Sequence, residues 1–323
     1  MHTFKICMTV FTVVLLCLFI ALALVNGVFH LVYHDFYKNA ERDFKIPGLN
    51  SGFVPQGIEE TPSGILISGY MTKDRASRIY VLKDGDASAV ELFNPDGTPY
   101  TGHAGGIDAY FNTVFITGDM TTEVLSLSDL TDGDGKAKVI GSFDPGLDPA
   151  WCTVWGKYIL MGSFANSESD DYPPDAGEIF TTPSGDRNTS LIKAFRLNSS
   201  FPLGIDPTPA FAISSGEKVQ GLSFVDDKTL VLSTSYGLGS SKLIFHSVDK
   251  MKEKSGSYSL SDGTTVPLYY LDKESETRSV KAPPMSEELM IKDGYIYVLN
   301  ESACNKYVFG KLLGQYRIYR YKI

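Results

Sequence analysis

The side chains able to do chemistry in this chain recur at the starts of short apolar runs. Gln56 precedes Gly57-Ile58, His103 precedes Ala104-Gly105-Gly106-Ile107, Gln220 precedes Gly221-Leu222, and Glu287-Glu288 precedes Leu289. Asp108, Asp148 and Trp151 stand at comparable places. Such side chains, brought together from several strands, suit a ligand or cation site. They equally suit a narrow wet channel whose polar groups bond one another and buried water. His103 and Glu287 are the residues able to serve as acid or base. No Ser-His-Asp order, zinc-type His spacing or Gly-rich phosphate loop accompanies them, so no catalytic or metal-ligating role is assigned. Gln56, His103, Gln220 and Glu287 are the ligand-binding candidates. Successive strand residues point to opposite faces, so only one of Glu287 and Glu288 is expected to face the others. Register with Gln56 and Gln220 gives that place to Glu287.

The elements that must position them are strands. After each polar start comes an apolar run, a turn and a second alternating run: Ile65-Leu66-Ile67-Ser68, Val114-Phe115-Ile116-Thr117, Tyr158-Ile159-Leu160-Met161, Leu230-Val231-Leu232-Ser233 and Tyr295-Ile296-Tyr297-Val298. A third run follows in each unit, for example residues 78–82 and 243–248. Alternation with β-branched residues between turns is the strand signature. Units recurring at roughly 45–70 residues are blade-sized. Stacked radially, such sheets bury both faces. The expected fold is all-β, a single β-propeller of five blades with six as the alternative, preceded by one N-terminal transmembrane helix. The last unit stops after three strands, and residues 43–47 form a spare strand that can close the ring against residues 316–323.

Residues 6–25 are almost continuously apolar, and no Asp, Glu, Lys or Arg lies between Lys5 and Asp35. About 20 such residues span a bilayer as a helix; a cleaved signal peptide is the other reading. The expected organisation is an anchor or signal peptide at 1–29, a polar-aromatic linker at 30–42, and the propeller at 43–323. The propeller is expected outside the cytoplasm, held to the cell membrane in a single pass. Net charge is -9, which argues against a nucleic-acid partner. Cys152 and Cys304 lie outside the apolar run, either as free thiols or as a bridge between the third and fifth units. Asn188, Asn198 and Asn300 begin glycosylation-type triplets. The Asp-Gly pairs read as turns.

Pro55-Gln56-Gly57, His103-Ala104-Gly105-Gly106-Ile107, Gln220-Gly221-Leu222-Ser223, Pro284-Met285-Ser286-Glu287-Glu288-Leu289 and the segment from Tyr297 to Tyr307 resemble exported bacterial β-propeller proteins of unassigned activity. A looser likeness is to calcium-dependent lactonase and strictosidine-synthase-like propellers. Those carry acidic and Asn ligands at inner-strand starts, where this chain has Gln56 in place of a Glu. The second likeness implies calcium as a cofactor and a divalent-cation-dependent hydrolase, lactonase- or esterase-like, with its site at the channel. The reading from the residues themselves is a propeller that binds a small molecule, glycan or protein at its channel-mouth face. The long insertion at 165–190 borders that face.

Overall fold

The computed structural model describes residues 2–323. The alternating runs form antiparallel meanders, as their turn-separated period-two pattern requires. They build five blades, whose innermost strands are Phe53–Thr61, Ile107–Tyr110, Pro149–Trp155, Val219–Phe224 and Ser286–Lys292. Each of these strands touches the next in that order, and the fifth touches the first, so the ring is closed. The fold is a five-bladed β-propeller. Blade three carries an insertion that includes the hairpin Phe180–Thr181 with Arg187–Asn188. Blade two is the smallest, its outer strand being only Gly141–Phe143.

The core lies between blades. Leu66 and Ile79 of blade one meet Val114 and Ile116 of blade two. Phe115 shares a core cluster with Met161, Leu160 with Leu230, Val231 with Val298, and Ile67 with Tyr297, around the remaining interfaces. Each fully buried aliphatic or aromatic side chain contributes about 1.5–3 kcal/mol. The sandwich of alternating faces therefore stabilises the ring at every junction.

The strand Ala40–Lys45 pairs antiparallel with Arg317–Lys322, so blade five takes its outer strand from the N-terminal side of the chain. Arg320 adds a bond to the Glu41 carboxylate at 2.6 Å. The helix His2–Val32 contains a stretch, Ile6–Val32, that is long and apolar enough to cross a membrane and is not buried against the propeller over its most apolar part. It is compatible with a membrane anchor or a signal sequence. Residues 30–42, expected as a linker, carry regular secondary structure. The helix bends at Tyr33, continues as His34–Asn39, and leads directly into the closing strand. Tyr33 and Phe36 are buried against blades four and five, with Phe36 stacked 5.7 Å from Tyr321. Aromatic side chains suited to a membrane boundary are equally suited to a protein interface, and here they fill one.

Cys152 and Cys304 are free and buried. Asn188 and Asn300 are buried as well, so of the three triplets only Asn198 presents an exposed acceptor.

Candidate functional site

The inner strands do not enter the ring as regular strands. In blade one Pro55 pairs with Gly69 and Gly57 with Ser68, which leaves Gln56 as an extra residue. In blade four Val219 pairs with Thr234 and Gly221 with Ser233, leaving Gln220. In blade three the extra residue is Ala150. In blade two Gly105 donates to the Thr117 carbonyl at 2.7 Å while Thr117 donates to Gly106 at 2.9 Å, so both glycines face one residue. In blade five Ser286 pairs with Asn300 and Leu289 with Val298, which sets Glu287 and Glu288 together against Leu299. Five bulges thus occur at the same level. A bulge adds a residue on one strand and re-aims its side chain.

Of the two adjacent glutamates, Glu287 lines the mouth with the other candidates and Glu288 does not. Both are buried near the axis, at different depths. Glu287 faces the mouth. Glu288 lies below it, where its Oε2 accepts from the N–H of Ile58 at 3.0 Å and of Ile107 at 2.9 Å. One side chain of blade five therefore bonds the inner strands of blades one and two. This accounts for the glycine in each opening. A Cβ on Gly57 would stand 2.8 Å from Glu288 Oε2, and one on Gly106 would stand 2.6 Å from Oε1. One on Gly221 would meet the Glu288 Cα at 2.8 Å. Burial raises the Glu288 carboxyl well above the usual range, against the opposing pull of the amide donors. Asp108, another strand-start residue, is buried and does not line the mouth. Its carboxylate accepts from Ala109 at 2.6 Å and Val154 at 2.5 Å, and burial raises it to about 7.

Above the bulges lies a cavity of about 690 Å³. All four sequence candidates, Gln56, His103, Gln220 and Glu287, line it. Asp148 lines it too and fixes the backbone of the neighbouring blade, accepting from Met120 N–H at 3.0 Å. His103 sits at the rim, stacked 5.0 Å from Tyr70. Glu301 was not singled out from sequence, yet it is the partner of Gln56, whose Nε2 donates to it at 3.1 Å. Burial pushes the Glu301 carboxyl up to about 7, opposed by Lys306 and by hydrogen bonds from Gln56 and Tyr307. Glu287 is raised well above the ordinary range by burial first, then by Glu301 and Glu288. The floor is therefore hydrogen-bonding and carries less charge near neutral pH than two ordinary carboxylates would.

The walls are aromatic. Phe164, Tyr172 and Tyr236 touch edge-on or tilted at 5.3–6.2 Å on one side. On the other, Lys306 Nζ stands 5.1 Å from the rings of both Tyr70 and Tyr307 and donates to the Tyr70 hydroxyl at 2.6 Å. Apart from Tyr70, which ends the second strand of blade one, these residues come from loops that the strand order places at one face, but no spacing marks the individual side chains. Trp151 is not at the surface of the site: it is fully buried, over Gly162. Among the described residues no three His, Cys, Asp or Glu side chains converge as a metal-binding group.

No protein-family profile matches the chain, and no curated protein matches it by sequence. Solved structures do match its fold. A luciferin-regenerating enzyme is 13% identical, with 87% of this chain and 94% of that chain covered and a TM-score of 0.44. The PQQ-bound aldose sugar dehydrogenase of Streptomyces coelicolor is 16% identical, with 81% and 78% covered and a TM-score of 0.43. The WD40 β-propeller domain of Doa1 is 10% identical, with 87% and 96% covered and a TM-score of 0.40. Likenesses this distant bear on no substrate.

Proposed function

We propose that this protein is a membrane-anchored, extracytoplasmic propeller that binds a small organic molecule in the cavity at its channel mouth. The observation that carries the reading is the composition of that cavity. A floor of Gln56, Gln220, Glu287 and Glu301 lies under walls of Tyr70, Phe164, Tyr172, Tyr236 and Tyr307. Apolar walls with a few convergent polar groups are the usual make-up of a ligand site. The two carboxyl groups, both raised by burial, donate as well as accept whenever they are protonated. The fitting ligand is uncharged, offers hydroxyl or amide groups to the floor, and lays a flat apolar face on the tyrosines.

The test is thermal shift of the full-length protein in detergent against a panel of neutral hydroxylated compounds, with organic amines as contrast. A ligand of the native state at a hundred times its Kd adds about 2.7 kcal/mol. The shift is expected with neutral compounds, and to disappear in Glu287→Gln and Tyr172→Ala while the melting temperature without ligand stays near wild type. A compound that stabilises wild type and both variants equally would place the site elsewhere. Anchoring is checked separately: the full-length protein is expected to stay with membranes through alkaline extraction, and recovery of a soluble form lacking residues 1–23 would show a cleaved signal instead.

A further inference from the structure

The apolar helix leaves the propeller on the side of the mouth. Asn26 Nδ2 donates to the carbonyl of Leu312 at 3.1 Å, and the Tyr33 hydroxyl lies 3.1 Å from Ser240 Oγ. Leu312 and Ser240 belong to the loops after the second strands of blades five and four, the loops that also supply Lys306, Tyr307 and Tyr236 to the cavity. Below them, Gln315 Nε2 donates to the Tyr37 hydroxyl at 2.7 Å, and Tyr37 stacks 4.4 Å from His30. The helix is thus fastened to the mouth loops from Asn26 onward. No loose chain intervenes.

Distance then decides the geometry. The residues before Asn26 that are apolar enough to span, 6–25, make about 30 Å of helix, the thickness of a bilayer core. If they span, Asn26 stands at the membrane boundary, and so does Leu312, which it touches. The surface chemistry agrees. Ten large apolar side chains outside the helix are exposed among the described residues, and seven of them lie in mouth-face loops. Leu238 (72% exposed), Val308 and Leu312 lie in the mouth loops of blades four and five, which bond the helix and its continuation, while Met120 (58% exposed) and Tyr172 lie in those of blades two and three. Val308 and Met120 hold φ of 55° and 65°, a conformation unusual for side chains of their kind. Single exposed apolar residues need no explanation, but a cluster on one face marks an interaction surface.

We propose that the mouth face of the propeller is seated on the bilayer its own helix spans, with the mouth-loop apolar side chains entering the headgroup–acyl boundary and the cavity opening onto the lipid surface. The proposal rests on the helix being an uncleaved anchor, and it is independent of which molecule fills the cavity. The seating is hydrophobic rather than electrostatic. Acidic side chains outnumber basic ones in these loops, where Asp74, Asp119, Asp148, Glu168, Asp170, Asp171 and Asp175 stand against Lys73, Arg75, Lys218, Lys306 and Lys311, so no basic patch is available for anionic lipid. A ligand reaching the cavity would come along the membrane surface.

The experiment uses full-length protein carrying Cys7→Ser and Cys17→Ser, with Leu238→Cys, Met120→Cys or, on the opposite face, Phe111→Cys. Phe111 is 83% exposed and ends the first strand of blade two. Each cysteine carries a bimane label, and the protein is reconstituted in phosphatidylcholine vesicles with or without doxyl-labelled lipid. Labels at 238 and 120 are expected to be quenched at least about twofold more than the label at 111. Phosphatidylglycerol is expected to give no increase in quenching, since the mouth loops are acidic rather than basic. Equal quenching at 111 and 238 in protein that floats with the vesicles overturns the orientation. Quenching that appears only with phosphatidylglycerol overturns the hydrophobic seating. Protein that does not float with the vesicles overturns the anchor and the proposal together, whatever binds in the cavity.

Discussion

Replacing Glu301 with Gln should change how stability depends on pH, by an amount that the site itself fixes. The folded protein holds the Glu301 carboxyl at about 7 against an ordinary 4.5. A raised carboxyl binds its proton more tightly in the folded state than in the unfolded chain. Its contribution is therefore fully present below 4.5 and is lost as pH rises toward 7. A difference of 2.5 pH units (7 less 4.5) corresponds to about 3 kcal/mol at 1.36 kcal/mol per unit. Between about pH 5 and 7.5 most of this, roughly 2 kcal/mol, should be lost in wild type and absent in Glu301→Gln. His246 acts in the opposite sense, since burial lowers it to about 4 and its contribution is lost as pH falls from 6.5. That term is common to both proteins and cancels in the comparison. Thermal melting of the two full-length proteins across this range is the assay. The wild-type midpoint should fall relative to the variant by about 5 °C on going to the higher pH, taking roughly 2–4 °C per kcal/mol for a domain of this size. Parallel profiles for the two proteins would refute the claim that burial raises the Glu301 carboxyl.

Two further outcomes follow from the packing. Glu288→Ala strands the Ile58 and Ile107 N–H groups inside the ring, and at about 1–3 kcal/mol for each orphaned donor it should destabilise the fold by several kcal/mol in a denaturant titration, whereas an unchanged midpoint would mean that water replaces the carboxyl freely. A protein beginning at Gly48 lacks both the closing strand and Phe36, so it should melt far below the full chain or fail to fold, and a melting curve identical to that of the full chain would show that the edge of blade five needs no partner.

The blades were legible because their strands obey a period of two between turns that only Gly, Asp and Asn readily make. Gln56 and Gln220 were legible as members of one set because each opens an apolar run with the same Gly behind it. The role of that Gly was not legible, since the Glu288 side chain it accommodates lies more than sixty residues away in sequence and belongs to another blade. That Glu287 and Glu288 are both buried was not legible, because a bulge sits between Ser286 and Leu289, and a bulge leaves no mark in side-chain pattern. Glu301 and Tyr236 lie in loops, where position is set by the ends of the flanking strands rather than by periodicity. Tyr33, Phe36 and Tyr37 show the limit of composition: an aromatic row reads the same whether lipid or protein covers it.

The pairing of Ala40–Lys45 with Arg317–Lys322 also sets an order of events during synthesis. The closing strand is made early, and its partner is made only after all the blades between. Throughout that interval it is an open edge held next to the apolar helix, a position in which other strands could capture it. Its sequence, Ala-Glu-Arg-Asp-Phe-Lys, is charged at four of six positions. Charged side chains discourage pairing with a foreign edge. Glu41 later finds Arg320 across the completed pair. The same residues that hold the ring shut thus keep the unfinished chain from closing on something else.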